Sequence, residues 1–304
     1  MSKAAVFFEP GGPEVLRVAE VPDPTAGPGQ VRVRVRAAGV QPFDVAVVAG
    51  QIHRQADPTV PTIPGNEFAG VIDEVGEGVD GFVVGDEVLG YGTLNSCREL
   101  LAVPADQVVA KPASMPWEVA GGFSAGAQTA HIALAEIGVG SGDTVLIHGA
   151  AGAVGSIAVQ LSRLRGATVI GTARAAQHDH VRSLGAIPVS YGADFVERVR
   201  SLAPGGIDAA VDGVGGHALD ATLELVKDRG RILTLVDHGK AAELGIRVTP
   251  FARSAARLAE LAGQYAAGQL SFHVMATYPL AQAADALRAY QAGNIRGKIV
   301  ITIP

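Results

Sequence analysis

Three glycines, Gly149, Gly152 and Gly155, stand between an apolar run and a helical segment, and this arrangement could bind a phosphate group. The apolar run, residues 145–148, has strand character, and residues 156–164 have helix character. A strand, a tight turn and a helix start direct backbone N–H groups and the helix dipole at one point. Glycine also lets the backbone approach a pyrophosphate closely. The alternative is a turn that only packs a helix against a sheet, because the spacing is GxxGxxG rather than GxGxxG.

The end of the following strand indicates which dinucleotide binds. Residues 167–173 resemble the second strand of a βαβ unit, where NAD sites usually carry an acid that accepts bonds from the ribose. Here Thr172 and Arg174 occupy that region, and the next acid is Asp179. A guanidinium offers charge-assisted donors to a ribose 2′-phosphate, and His178 could add another. We therefore expect NADPH rather than NADH. The alternative is that Arg174 and His178 are solvated surface side chains.

Composition and charge narrow the class of protein. A chain of 304 residues with 48% hydrophobic and 18% charged residues is typical of a globular protein with two domains or one large one. The net charge of −6 and the lack of a basic tract argue against a nucleic-acid partner. The single cysteine, Cys97, excludes an internal disulfide and a four-cysteine zinc site. Neither an apolar run of about 18 residues nor a signal-peptide pattern occurs, so we expect a cytoplasmic protein without a membrane partner.

The pattern of predicted secondary structure changes near residue 120. Before it, short strands alternate with Gly and Pro; after a helical pattern over residues 114–134, strands and helices alternate. Strands are predicted at 4–8, 31–37, 70–75, 87–91, 98–103, 144–148, 168–172, 187–190, 207–212, 231–236, 247–249 and 298–303. The alternation predicts an α/β protein with a doubly wound parallel sheet. The last strand is rich in β-branched residues like the N-terminal part, so we expect it to complete the first domain.

Motifs along nearly the whole chain resemble those of the medium-chain dehydrogenase/reductase superfamily, in its zinc-independent quinone oxidoreductase branch. They are residues 37–44 (AAGVQPFD), 64–71 (PGNEFAGV), 75–79 (VGEGV), 85–88 (GDEV), 102–104 (AVP), 142–145 (GDTV), 149–155 (GAAGAVG), 211–216 (VDGVGG) and 296–300 (RGKIV). The resemblance implies a GroES-like, partly open β-barrel domain of residues 1–122 and 268–304, and a Rossmann domain of residues 123–267. It also implies NADPH as the cofactor and a homodimer.

Two positions that bind zinc in the alcohol dehydrogenases of this superfamily differ in this chain. Gln41 stands where they have Cys, and Asn66 stands where they have the His of Gly-His-Glu. Zinc needs thiolate, imidazole or carboxylate ligands, so we expect no metal site. Without a Lewis acid to stabilise an alkoxide, the expected small-molecule substrates are acceptors already electrophilic at carbon, such as quinones, enones and enoyl thioesters. The natural acceptor stays open. Its pocket is expected to involve residues 51–60, Leu94 and residues 237–245.

The resemblance also implies individual cofactor contacts, each of which has a purely structural alternative. The contacts expected with the nicotinamide and its ribose come from Gln41, Thr129, Leu235 and Val236. Those expected with the phosphates come from the backbone of Gly152, Ala153 and Val154 and from Thr172, Arg174, His178 and Tyr191. Arg296 or Lys298 is expected to reach the cofactor from the C-terminal segment.

The proton donor is not identified by the sequence. Some quinone oxidoreductases carry a tyrosine two residues after the aspartate of the motif at 37–44, and this chain has Ala46 there. Tyr91 is the catalytic candidate, and the alternative is a tyrosine that is only packed at a strand end. Two functions therefore remain open. One is an NADPH-dependent reductase of quinones or α,β-unsaturated carbonyls, and the other is an NADPH-binding protein with a structural or regulatory role. Ala46 and the lost zinc ligands mildly favour the second.

Overall fold

The computed structural model describes residues 1–52 and 60–304. Its strands, numbered in chain order, are β1 (Ser2–Val6), β2 (Arg17–Val21), β3 (Gln30–Gly39), β4 (Glu67–Val75), β5 (Glu87–Tyr91), β6 (Leu100–Pro104), β7 (Val108–Ala110), β8 (Thr144–Ile147), β9 (Thr168–Thr172), β10 (Ile187–Val189), β11 (Ala209–Asp212), β12 (Ile232–Thr234), β13 (Arg247–Val248), β14 (Val274–Pro279) and β15 (Lys298–Thr302). Its helices are α1 (Pro42–Val48), α2 (Trp117–Glu136), α3 (Ala153–Leu164), α4 (His178–Ser183), α5 (Phe195–Leu202), α6 (His217–Leu225), α7 (Ala241–Leu244), α8 (Ala255–Ala266) and α9 (Ala283–Gln291). Among the described residues, no helix combines the length and apolar character that crossing a membrane requires.

The chain forms two compact units. The first comprises Met1–Ala125, Ser254–Ala267 and His273–Pro304, and the second comprises Gly126–Arg253 and Gly268–Phe272. Helix α8 belongs to the first unit. On this helix Leu258 and Leu261 are fully buried, and Tyr265 packs edge-on against Phe123 with ring centroids 5.9 Å apart. The predicted Rossmann domain of residues 123–267 includes α8, because a helical pattern does not reveal which sheet a helix packs against.

The first unit is built on a seven-stranded sheet. Its strand order is β14-β15-β3-β4-β5-β7, β6 also pairs with β3, and β1 and β2 form a separate pair. Along β3 the valines are fully buried, whereas Arg32 and Arg34 reach Asp73 on β4. Strand β15 runs antiparallel to β3 with Val300 opposite Gly39. The C-terminal strand therefore completes the sheet that the N-terminal segment begins, as the sequence predicts.

The second unit contains a parallel six-stranded sheet in the order β10-β9-β8-β11-β12-β13. The chain starts in the middle at β8, winds outward through β9 and β10, and then returns to build β11 to β13 on the other side. The predicted doubly wound α/β sheet is thus confirmed. Its order reverses between β8 and β11, and such reversal points are where ligands bind, beyond the carboxyl ends of the strands.

Candidate functional site

The glycine-rich turn that follows β8 lies at this reversal point. Gly149 has a φ of +70°, in the left-handed region that favours glycine, and its carbonyl accepts a bond of 2.9 Å from Gly152 N. A Cβ on Gly155 would lie 2.2 Å from Gly149 O, so close packing of the turn against α3 requires glycine there. A Cβ on Gly152 would meet nothing closer than 3.4 Å. The protein's own packing therefore does not explain a glycine at 152, whereas close approach of a ligand would.

Helix α3 begins directly after this turn. Among the described residues no side chain caps its N-terminus, where Gly152 is the N-cap. The first N–H groups of an α-helix lack partners inside the helix, and the dipole makes that end positive. An anionic group held at the turn would meet the amides of Ala153 and Val154. The site fits the pyrophosphate of a dinucleotide.

The predicted phosphate-binding residues beyond β9 differ in exposure. Thr172 is fully buried, and its Oγ1 accepts from Gly149 N at 3.0 Å. Arg174 is exposed and precedes a short 3-10 turn. His178 is half-buried, with Nε2 at 3.0 Å from Ser190 Oγ. Arg174 is thus the most accessible of the three to a ligand phosphate, and Thr172 supports the turn instead.

The side chain of His148 is buried beside the turn between two hydroxyl groups. Its Nδ1 lies 2.6 Å from the Tyr191 hydroxyl, and its Nε2 lies 2.7 Å from Thr222 Oγ1. Burial lowers the pKa of His148 to about 4, against an opposing effect of Asp212. Burial also raises the pKa of Tyr191 above its ordinary value. Both side chains are therefore neutral near pH 7.

Asp212, at the end of β11, forms hydrogen bonds that hold together the loops following β11 and β12. Its Oδ1 accepts from Gly215 N at 2.8 Å, and its Oδ2 accepts from Thr234 Oγ1 at 2.8 Å. Thr234 Oγ1 in turn accepts from Val236 N at 3.2 Å. These bonds hold half-buried Leu235 and exposed Val236 beyond the carboxyl end of β12. Contact of these two residues with a nicotinamide remains a prediction.

A buried carboxylate forms the centre of a polar cluster in the first unit. Glu67 on β4 is fully buried, and its Oε1 lies 2.6 Å from Nζ of Lys298 on β15, which is 3% exposed. Gln41 Nε2 also donates to Oε1, and Ala125 N in α2 donates to Oε2 at 2.6 Å. Nearby Asp44 accepts from Gln41 N at 2.8 Å, and burial raises its pKa to about 6. The Lys298 ammonium and two uncharged donors thus compensate the Glu67 carboxylate.

The remaining predicted residues are dispersed. Tyr91 ends β5, and its hydroxyl donates to Asp106 O at 3.5 Å. Thr129 is half-buried in α2. Arg296 is exposed, and its Nε donates to His273 Nε2 at 3.1 Å. The structure places each of these side chains without testing its predicted role.

The loops expected to line the acceptor pocket are only partly described. Residues 53–59 of the first loop lie outside the described residues. Leu94 is 9% exposed and belongs to the core of the first unit. Residues 237–245 form a 3-10 turn followed by α7.

Two interactions of the site are not predicted by the sequence. The pairing of Glu67 with Lys298 joins residues from two quoted motifs, but only the strand order brings those motifs together. His148 ends a predicted strand, and its buried polar partners come from elements 43 and 74 residues away along the chain. The signal in the sequence that could have indicated the His148 contacts is a polar residue at the end of an apolar strand, next to a glycine-rich turn.

Models of two known families match the chain. Residues 27–139 match the "Alcohol dehydrogenase GroES-like domain", and residues 184–301 match "Zinc-binding dehydrogenase". A quinone oxidoreductase from Coxiella burnetii has a similar structure, with a TM-score of 0.89 and 26% identity over 100% of this chain and 99% of that one. A mycobacterial protein solved in complex with NADPH has a TM-score of 0.87 and 30% identity over 99% of each chain.

Curated relatives are longer than this chain. It is 35% identical over 230 residues to the synaptic vesicle membrane protein VAT-1 homolog of Rattus norvegicus. The aligned region covers 74% of this chain and 56% of that protein. It is also 35% identical over 319 residues to the spectinabilin polyketide synthase system protein NorB of Streptomyces orinoci, covering 97% of this chain and 14% of that protein. The chain therefore spans about half the length, or less, of these relatives.

A GroES-like unit together with a parallel Rossmann-type sheet and its glycine-rich turn is an architecture of nicotinamide-dependent dehydrogenases. The chain belongs to the medium-chain dehydrogenase/reductase superfamily, in its quinone oxidoreductase-like branch. The resemblance inferred from the sequence motifs is thereby confirmed.

Zinc, which the matched family's description implies, does not fit the side chains at the corresponding positions. Gln41 and Asn66 present amides there, and Glu67 is engaged by Lys298. Cys97 is 2% exposed, and burial raises the pKa of its thiol well above the ordinary value. Within residues 1–52 and 60–304, no group of three or more His, Cys, Asp or Glu could hold a metal ion. The site offers amides and a compensated carboxylate where zinc needs thiolate or imidazole.

Proposed function

We propose that this chain is an NADPH-dependent, zinc-independent oxidoreductase that delivers a hydride to a quinone or an α,β-unsaturated carbonyl compound. The observation that carries the proposal is the glycine-rich turn after β8, which leads into a helix N-terminus that no described side chain caps, at the reversal point of the sheet. Gly152 leaves room for a phosphate group there. The related mycobacterial protein solved with NADPH supports this choice of cofactor. NADPH, when bound, supplies the hydride.

Residues of the second unit would select NADPH through its charges. The amides of Ala153 and Val154 suit the pyrophosphate, and the exposed Arg174 suits the 2′-phosphate. An acid facing the ribose would oppose a 2′-phosphate. The first acid beyond β9 is Asp179, which forms an ion pair of 2.6 Å with Arg182. The charge distribution therefore favours NADPH over NADH.

The polar cluster of the first unit favours an acceptor that needs no Lewis acid. The Nε2 group of Gln41 and the ammonium of Lys298 are both directed at Glu67. Neither group is available to stabilise an alkoxide. In alcohol oxidation a metal ion usually provides that stabilisation. Quinones and α,β-unsaturated carbonyls accept hydride at carbon and spread the charge through conjugation. These compounds therefore suit the chain better than simple alcohols or ketones do.

A panel of acceptors tests the proposed activity. The quinone oxidoreductase from Coxiella burnetii supports a quinone, and the polyketide synthase protein NorB is compatible with an enoyl thioester. NADPH absorbance should fall when the purified chain receives 9,10-phenanthrenequinone, a simple enone or crotonyl-CoA. The acceptor with the highest kcat/KM identifies the substrate class. Tight NADPH binding without turnover of any of the three acceptors would refute the proposed reductase activity.

An NADPH-binding protein with a structural or regulatory role is the second candidate. Ala46 supplies no acid in α1, and the Tyr91 hydroxyl already donates to Asp106 O. No proton donor is therefore assigned among the side chains considered, and solvent would have to protonate the product. Binding without turnover on the acceptor panel is the result that would favour this candidate.

A further inference from the structure

The directions of the hydrogen bonds around His148 follow from the partners of Thr222. Thr222 Oγ1 donates its proton to Ala218 O at 2.8 Å, so it must accept from His148 Nε2. A neutral imidazole that carries its proton on Nε2 accepts at Nδ1. The Tyr191 hydroxyl, 2.6 Å from Nδ1, is therefore the donor in that bond.

The glycine-rich turn determines the direction of the hydrogen bonds on the other side of Tyr191. Gly149 N donates to Thr172 Oγ1 at 3.0 Å. Because the proton of Tyr191 points to His148, Thr172 must donate to the Tyr191 oxygen, 2.8 Å away. Thr172 Oγ1 also lies 3.4 Å from His148 Nδ1, the longer of its two side-chain contacts in this group. The bonds thus run in one direction from Gly149 N to Thr172, Tyr191, His148, Thr222 and finally Ala218 O.

We propose that Thr172, Tyr191, His148 and Thr222, here called the His148 network, position the glycine-rich turn for the nucleotide. A phenol has a single proton to give, and the network assigns that proton of Tyr191 to His148. Although 43% of Tyr191 is exposed, its hydroxyl is directed inward at His148 and Thr172. This inference rests on the proposed function, since it concerns the turn that would hold the nucleotide.

The positioning effect acts on the first residue of the turn. Gly149 adopts its left-handed conformation while its N–H is held by Thr172 Oγ1, and Ala150 N donates to Thr172 O at 2.9 Å. Thr172 is in turn held by Tyr191, whose ring stacks on His148 with centroids 5.7 Å apart. The network therefore joins the ends of β8 and β9 to the residue two places beyond β10 and to α6. Loss of one hydroxyl should loosen the turn without removing a ligand contact.

Comparison of two cofactors separates positioning from phosphate binding. Loss of one neutral hydrogen bond corresponds to a roughly five-fold change in an equilibrium constant. Tyr191→Phe should therefore raise the Kd of NADPH and of NADH alike by about five-fold, and should raise KM for NADPH more than it lowers kcat. Tyr278→Phe, at a half-buried tyrosine on β14 of the first unit, is the matched control and should change neither Kd. A loss confined to NADPH would assign Tyr191 to the 2′-phosphate and overturn the proposal.

Conservative replacement of Thr172 provides a second binding test. Thr172→Ser keeps the hydroxyl and should bind both cofactors like the wild type. Thr172→Val keeps the shape but removes the hydroxyl, and it should weaken both cofactors at least as much as Tyr191→Phe does. In the double variant the losses should be smaller than the product of the single losses, because both changes break one network. Fully independent effects would contradict the network.

Imidazole ¹⁵N NMR of the NADPH-free protein tests the network without any cofactor. His148 should show a protonated Nε2 and an unprotonated Nδ1 at pH 7, and Tyr191→Phe should shift the Nδ1 resonance only. A protonated Nδ1 would reverse the assigned directions and overturn the network. If the wild type binds neither dinucleotide, the proposed function fails and the positioning role fails with it, whereas the NMR result still decides whether the network exists.

Discussion

Replacing Lys298 by methionine should strongly destabilise the first unit, because it leaves the Glu67 carboxylate buried without a counter-charge. Glu67 is 0% exposed and Lys298 is 3% exposed, with 2.6 Å between Oε1 and Nζ. Removal of one partner from a buried ion pair typically costs about 3–5 kcal/mol. The donors from Gln41 and Ala125 stay in place and still stabilise the carboxylate. We therefore expect a loss near the lower end, about 3 kcal/mol in the free energy of unfolding.

A double variant shows whether this loss comes from the uncompensated charge. Glu67→Gln combined with Lys298→Met removes both charges and should lose less stability than the sum of the two single variants, since a neutral pair is often tolerated at such sites. Arg288→Met is the matched control. It breaks the ion pair with Asp285 in α9, whose side chains are 51% and 53% exposed, and should cost no more than about 0.5 kcal/mol.

Urea unfolding of the NADPH-free protein measures these changes. The chain has one tryptophan, Trp117, and it lies in the part of α2 that belongs to the first unit, so its fluorescence reports on that unit. The reasoning is wrong if Lys298→Met costs no more than the exposed control. It is also wrong if the double variant is as unstable as the two single losses added together.

Three further variants test the second unit. Arg174→Ala should weaken NADPH more than NADH, by about 1–3 kcal/mol in binding free energy measured by titration calorimetry, and equal losses would refute a 2′-phosphate contact. Gly152→Ala should keep the melting temperature but weaken NADPH binding, because its Cβ, 3.4 Å from Gly149 O, has room only while the turn is empty. Gly140→Ala, where a Cβ would meet nothing within 4 Å, is the control, and unchanged binding in both would exclude a phosphate at the turn. The pKa of His148 is lowered from 6.5 to about 4, so the unfolded chain takes up its proton first and the folded state loses stability as the pH falls. The stability difference between wild type and His148→Gln should therefore shrink by about 2 kcal/mol from pH 7 to pH 5 in urea unfolding, and a constant difference would show that His148 is not buried neutral.

Much of the fold could be predicted from local patterns in the sequence. Strands β5 and β9 match their predicted bounds, because residues 87–91 and 168–172 are short apolar runs bounded by clear turn residues. The alternation after residue 140 correctly predicts the doubly wound sheet. Strand β14 has no counterpart among the predicted strands, because among the described strands it pairs only with β15, at the edge of the sheet, and it ends in Pro279. Its stability comes from a strand paired with it 23 or 24 residues away along the chain, which local periodicity cannot show.

The candidate site was predictable where it depends on the backbone and not where it depends on long-range polar contacts. Glycines at 149, 152 and 155 identify the turn, since the backbone needs glycine at 149 and 155 and a Cβ at 152 would only obstruct a ligand. Lys298 was expected to reach the cofactor, yet the structure directs its ammonium at Glu67. A cofactor contact by Lys298 stays a prediction. The pairing of two charges from β4 and β15 depends on tertiary packing, which no motif spacing specifies.

Turnover after removal of metal ions tests the central claim most directly. The purified chain is dialysed against EDTA, its zinc content is measured by elemental analysis, and oxidation of NADPH by 9,10-phenanthrenequinone is followed by absorbance. The account predicts a zinc content far below one ion per chain and a kcat equal to that of untreated protein. Stoichiometric zinc, or activity that EDTA abolishes and added Zn²⁺ restores, would contradict it.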